Sequence, residues 1–260
     1  MEPGTRVLNC LPSQGTEKDW SLRAATASGA VRAAAPPPPA IDLREDWWNI
    51  GDQGATGSCV GWACADSVLR WHFVKARRLA KNKKLSVRFI WMAAKEMDEF
   101  TDAPTAFIES DGTSLKAALD VARKYGTVLD GMLPFGTGRL YPDDTETFYA
   151  TAAQGKIGSY FNLRRDPMAW RRWLATQGPI LVRLDVDRTF DNAKAARGKL
   201  ARYYPNDARG GHAVAFVGYT KDHFIVRNSW GVEAWGDKGF AYASNAYAEA
   251  AFTEAYGVVL

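Results

Sequence analysis

Gln53-Gly-Ala-Thr-Gly-Ser-Cys59-Val-Gly-Trp-Ala63 changes texture at Cys59. Before it the chain is rich in glycine and irregular. After it, apolar residues at Val60, Ala63, Cys64, Ala65, Val68, Leu69, Trp71, Phe73 and Val74 recur as they would on a helix buried over much of its circumference. Cys59 therefore falls at a helix N-terminus. There, free backbone N–H groups and the positive end of the helix dipole favour the thiolate, which is the nucleophilic form of cysteine. The helix runs into Lys75-Ala-Arg-Arg-Leu-Ala-Lys-Asn-Lys-Lys84, which reads as a solvated C-terminal end facing the negative pole of the dipole.

A thiolate needs a base, and only three histidines exist. His72 lies beside Trp71 on the long helix and reads as structural. His223 follows Lys221-Asp222 at an expected hairpin turn and reads as a surface residue. His212, in Arg209-Gly-Gly-His-Ala-Val-Ala-Phe-Val-Gly218, stands at the entrance to a strand. Sixteen residues later comes Asn228-Ser-Trp-Gly231, at the end of a second strand. If the two strands pair antiparallel, the Asn228 amide oxygen can accept from one imidazole nitrogen and leave the other for Cys59. Trp230 would cover that bond. Gln53, six residues before Cys59, can donate to a developing oxyanion together with the Cys59 backbone N–H. Cys64 reads as an inert core thiol. Cys10 has no obvious partner, and contact with Cys59 is the less expected of its placements.

The chain has 260 residues, 47% hydrophobic and 24% charged, enough for one sizeable core and against global disorder. Its net charge of +4 is too small to imply a nucleic-acid or membrane partner. Three cysteines without paired short spacings argue against a zinc site, so no metal and no cofactor are expected. Few cysteines and no visible signal peptide point to a reducing, cytoplasmic setting, with export by an unusual route left open. Oligomeric state is not legible.

Residues 1–40 read as an N-terminal arm ending in Pro36-Pro37-Pro38-Pro39, a stiff polyproline II joint. Leu8, Leu11, Trp20 and Leu22 are its candidate anchors; a floppy tail is the competing reading. Helices are expected at Val87 to Phe100, after Thr113 or Ser114 up to Tyr125-Gly126, and from Asp166-Pro167 to Gly178. Strands are expected at 180–186, 213–219, 223–227 and 239–242. Helices first and strands later is an α+β layout. The expected division is a helical lobe over 41–140 and a β-rich lobe over 141–260.

Gln53, Cys59, His212 and Asn228, in this order and at these spacings, resemble the papain-like cysteine peptidases. Ala40-Ile-Asp-Leu-Arg44 is similar to the start of the mature enzyme in that family, and Asp111-Gly-Thr-Ser-Leu-Lys-Ala-Ala-Leu119 to its cleft-lining loop and following helix. The resemblance covers roughly 41–242. It implies a two-lobed α+β fold with a β-barrel-like second lobe, hydrolysis of peptides or proteins, Cys59 as nucleophile, His212 as base and acid, Asn228 as orienting group and Gln53 as oxyanion donor. It also implies that Gly112, Thr113, Gly211 and Trp230 line the substrate cleft. Three positions depart from the family pattern: Thr56 replaces a disulfide cysteine, Val60 a tryptophan and Gly211 an acidic or amide residue. Only about 40 residues precede the body, so the family's usual long inhibitory propeptide is not expected, and residues 1–35 are a candidate built-in cover.

Other readings fare worse. Gly57-Ser-Cys-Val-Gly61 fits a nucleophile elbow, but no strand precedes it. Gly54-Ala-Thr-Gly57 lacks the Gly-Lys-Ser/Thr of a phosphate loop. Two alternatives stay open: a papain-like protein that binds peptides without cutting them, and acyl transfer by the same Cys–His pair.

Overall fold

The structure is a computed structural model and describes residues 6–32, 36–98, 111–137 and 144–260. The helix announced by the Cys59 stretch is present as one rod over 59–75. It begins with Cys59–Gly61 (α2), widens into π-helical turns over Trp62–Leu69 and closes with Arg70–Lys75 (α3). The wide turns are a departure from the expected α-helix. Every residue from Cys59 to Val74 is buried, and wide turns of this kind are frequent at functional sites. Val87–Met97 (α4) starts at a Ser86 cap, and Leu115–Lys124 (α5) at a Ser114 cap. The last two residues of the expected first helix, 99 and 100, lie outside the described residues. Gly126, with φ +96°, ends α5 as expected. Pro167–Thr176 (α7) opens under a side-chain cap from Asp166.

Strands β2 (Ser159–Asn162), β3 (Ile180–Asp185), β4 (Lys199–Leu200), β5 (Gly211–Tyr219), β6 (His223–Arg227), β7 (Phe240–Ser244) and β8 (Phe252–Val259) form one sheet in the order β2-β8-β3-β5-β6-β7-β4. The short β1 (Ile41–Asp42) pairs with β5. The path is open, which corrects the expected barrel-like closure: β2 and β4 stand at its two ends and do not meet. Sequence reading also passed over β8, although it pairs with both β2 and β3. Its Phe-Thr-Glu-Ala-Tyr-Gly opening mixes polar and small residues and carries little alternation.

All nine residues of β5 are buried because both faces of the sheet are covered. Ala213, Ala215 and Val217 face the core built around the 59–75 rod, α4 and α5. Val214 and Phe216 face a second core of Trp170, Trp173, Phe190 and Trp235. This two-sided burial explains why β5 reads as a continuous apolar run rather than an alternating one.

His72, in α3, is buried and held neutral, its pKa pushed down to about 4 by loss of solvent. An unfolded histidine titrates near 6.5, so the unfolded chain binds the extra proton first, and stability is lost as pH falls from about 6.5 toward 4. The expected loss is about 3 kcal/mol. Urea unfolding at pH 7 and pH 4 measures it. The attribution to His72 fails if His72→Phe retains the same pH slope.

Candidate active site

Cys59, His212 and Asn228 come from three elements that the two cores clamp together. Cys59 heads the 59–75 rod, His212 is the second residue of β5, and Asn228 follows the last residue of β6. β5 and β6 pair antiparallel, with Ala215 opposite Arg227. The expected geometry follows: His212 Nε2 and Asn228 Oδ1 lie 2.8 Å apart. Among the described residues Nδ1 has no nitrogen or oxygen partner, and the ring lies close enough to Cys59 to lower its thiol pKa. The Trp230 ring lies 4.7 Å from the His212 ring, centroid to centroid, and shields the Asn228 contact. All three polar groups are out of solvent.

Cys59 and Cys64 sit five residues apart in one rod and have opposite acidities. Cys64 is fully buried, and burial pushes its thiol up to about 12. Cys59 is as deeply buried but is held well below the ordinary thiol value. The largest cause is a hydrogen bond from the Cys10 thiol, followed by the His212 ring and the Ala213 backbone N–H, all acting against the burial that alone would raise it.

The Gln53 side chain is buried in the loop that leads into Cys59. Its Nε2 donates to Thr56 O at 3.0 Å, and its Oε1 accepts from Ser229 Oγ at 3.0 Å. The amide is thus fixed from both ends, with a second N–H not used in either bond.

The N-terminal arm lies across this constellation. The Cys10 N–H donates to Gly211 O at 3.0 Å and the Leu11 N–H to Thr113 O at 3.1 Å. Arg183 Nε donates to Cys10 O at 3.0 Å. A Cβ on Gly112 would stand 1.8 Å from Asn9 O, and one on Gly211 would stand 2.2 Å from Cys10 O, so the arm's main chain passes where only glycine leaves room. Arg6 reaches the far corner. Its Nη1 donates to Asp52 Oδ1 at 2.7 Å and to Gly54 O at 2.8 Å, its Nη2 donates to Trp230 O at 3.3 Å, and its guanidinium lies over the Trp230 ring. All four residues expected to line the cleft, Gly112, Thr113, Gly211 and Trp230, are therefore in contact with the arm.

Beyond the cleft, Ser13 N–H donates to Glu254 Oε1 at 2.9 Å. Asp19 accepts from Tyr256 Oη at 2.7 Å, and Ala25 and Val31 are buried in the second core. Leu8, Leu11 and Leu22 are partly buried, but Trp20 is exposed and only leans on Phe161. Trp20 is thus the weakest of the expected anchors. The polar anchors Arg6, Ser13 and Asp19 escaped sequence reading because their acceptors and donors lie up to 241 residues away. Cys10 likewise has the partner that the sequence did not reveal. A cavity of about 640 Å³ between α1 (Leu22–Ala27) and α7 is lined by Arg23, Arg164 and Arg172 and touches none of the residues around Cys59.

A model of the papain family of cysteine proteases matches residues 37–256. The chain belongs to that family. The peptidase is 27% identical over 217 residues to a cathepsin B-like protein, CP2, of Giardia intestinalis, a match covering 78% of this chain and 67% of the relative. Its fold is shared with xylellain, a cysteine protease from Xylella fastidiosa, with TM-score 0.79 and 21% identity over 100% of this chain and 98% of that one. It is also shared with proCathepsin B S9 from Trypanosoma congolense, with TM-score 0.71 and 18% identity over 99% and 87% of the two chains. The peptidase has three free cysteines, and no helix among its described residues is long and apolar enough to cross a membrane. Family membership implies peptide or protein substrates.

Proposed function

We propose that this peptidase hydrolyses peptide bonds through Cys59, His212 and Asn228 and that its own arm covers the site. The carrying observation is the 2.8 Å contact between His212 Nε2 and Asn228 Oδ1, which turns Nδ1 to the Cys59 side. With Nε2–H donated to Asn228, the imidazole is fixed in one tautomer and orientation. Cys59 attacks the scissile carbonyl carbon, and the developing oxyanion is met by the Cys59 backbone N–H and the spare Gln53 N–H. His212 Nδ1 then protonates the leaving amine. In the second half it takes a proton from water, which attacks the thioester and releases the acid.

The cover follows from the arm's path. A substrate strand would use the main-chain groups of Gly211 and Thr113 that Cys10 and Leu11 now occupy. Arg6 is the clasp at one end. Asp52 is half-exposed, so its ion pair alone is weak. The two carbonyl bonds and the Trp230 ring raise the clasp to about 2 kcal/mol in total. Arg6→Ala should therefore expose the nucleophile and speed its labelling by an epoxysuccinyl inhibitor roughly tenfold or more. Intact mass against time, on full-length wild type, Arg6→Ala and Cys59→Ala, tests both halves of the reading. One adduct on the first two and none on the third is expected. Adducts on Cys59→Ala would remove Cys59 from the mechanism, and equal rates for wild type and Arg6→Ala would remove the clasp.

A further inference from the structure

Three cysteines are present, and two of them meet. Cys10 is held beside Cys59, in the same buried cluster, by bonds on both of its sides: its N–H to Gly211 O, its carbonyl from Arg183 Nε, and the next N–H to Thr113 O. Cys10 and Cys59 are both buried. The Cys10 Sγ contact with the Leu11 carbonyl is long, at 3.9 Å, and holds the thiol only weakly. Cys64 has no such neighbour, so the pairing is particular to the arm. An arm whose only task is to cover a cleft needs no sulfur at this position.

We propose that Cys10 and Cys59 form a reversible disulfide, making Cys10 the resolving thiol of the nucleophile and the arm a redox-locked cover. This rests on the reading of Cys59 as the reactive thiolate. The oxidant is a hydroperoxide. The Cys59 thiolate attacks one peroxide oxygen, the O–O bond breaks, and the departing alkoxide or hydroxide takes up a proton, leaving Cys59 as a sulfenic acid. The Cys10 sulfur then attacks the Cys59 sulfur, the S–OH bond breaks, and the hydroxyl leaves as water with the Cys10 proton. The two sulfurs each give one electron, and the peroxide is reduced to an alcohol or water plus one further water. A dithiol reverses the bond by exchange and returns both thiols. The chemistry suits the pair, because Cys59 is the thiol held anionic and Cys10 the one that keeps its proton. Sulfenic acid left without a resolving thiol goes on irreversibly to sulfinic and sulfonic acids. Cys10 thus preserves the nucleophile as well as locking the cleft.

The test uses the full chain, reduced and then exposed to hydrogen peroxide, with free thiols trapped by N-ethylmaleimide. Wild type should lose two hydrogens in intact mass and yield a Cys10–Cys59 linked peptide after digestion. Alkylation of Cys59 by iodoacetamide should disappear and return on treatment with dithiothreitol. Cys10→Ser should give no linked peptide, gain oxygen atoms on Cys59, and fail to recover alkylation with dithiothreitol. Absence of the linked peptide in peroxide-treated wild type overturns the proposal, as does equal recovery in wild type and Cys10→Ser. Untreated Cys10→Ser separates the two ideas. If iodoacetamide alkylates its Cys59 while wild type forms no disulfide, the nucleophile reading stands and the lock falls. If Cys59 is inert there as well, the nucleophile reading itself fails.

Discussion

His212→Gln should slow alkylation of Cys59 by iodoacetamide at pH 7 by roughly 100-fold or more, and should lower peptide hydrolysis by roughly 10⁴-fold. Cys64 shows what this interior does to a thiol without polar help: burial pushes it up to about 12. A thiol of that acidity is about one part in 10⁵ thiolate at pH 7. Cys59 escapes this fate through the Cys10 thiol, the His212 ring and the Ala213 N–H. Removing the ring withdraws the charged partner and leaves two neutral donors against full desolvation. The direction in pH is fixed by the same reasoning. A thiol held below its ordinary value is deprotonated above its lowered pKa, and reactivity is lost as pH falls through it. Wild-type alkylation should therefore persist into mildly acidic solution, whereas the His212→Gln profile should climb only toward alkaline pH. If the two pH profiles coincide, the imidazole is not what activates the sulfur.

Asp66→Ala should destabilise the fold by about 3–5 kcal/mol, the range for stranding a buried charge. That corresponds to a fall in Tm of roughly 10 °C. Arg227 is fully buried where the 59–75 rod meets the sheet. Its Nη2 donates to Asp66 Oδ2 at 2.8 Å and to Asn49 O at 2.6 Å, its Nη1 donates to the Ser67 hydroxyl, and its guanidinium lies over the Trp48 ring. Arg70 shares the same carboxylate. Without Asp66 the Arg227 cation is left buried and uncompensated. Because Arg227 immediately precedes Asn228, the displacement should also reach the His212 contact and lower activity in whatever fraction remains folded. A paired change separates charge from packing: Asp66→Leu with Arg227→Met should recover most of the loss, since an apolar pair leaves no charge stranded. If the double variant is no more stable than Asp66→Ala, the cost lies in packing rather than in the unpaired cation.

The Asp66–Arg227 pair was invisible in the sequence, and the reason is general. Asp66 lies on a rod whose neighbours are apolar, and Arg227 ends a strand read as ordinary; nothing local marks residues 161 positions apart as partners. The same holds for Arg6 with Asp52 and for Ser13 with Glu254. Even β8 escaped, because its place is set by β2 and β3 on either side rather than by its own pattern.

By itself the sequence determined the elements whose signals are local. Apolar spacing after Cys59 announced the 59–75 rod, Thr113 or Ser114 and Asp166 announced helix starts, and the two apolar runs around His212 and before Asn228 announced strands able to pair antiparallel. The two strands bring an imidazole and an amide within reach of one another, since strand register and turn length constrain that geometry, whereas only the family resemblance implied that the Cys59 thiol joins them. Tertiary structure alone decided three things: that the sheet stays open, that the rod relaxes into wide turns where it is buried all round, and that the arm runs across the cleft with Cys10 against Cys59. Each depends on surfaces brought together from distant parts of the chain. Their free energy comes from burial and from partners that no short window of sequence contains.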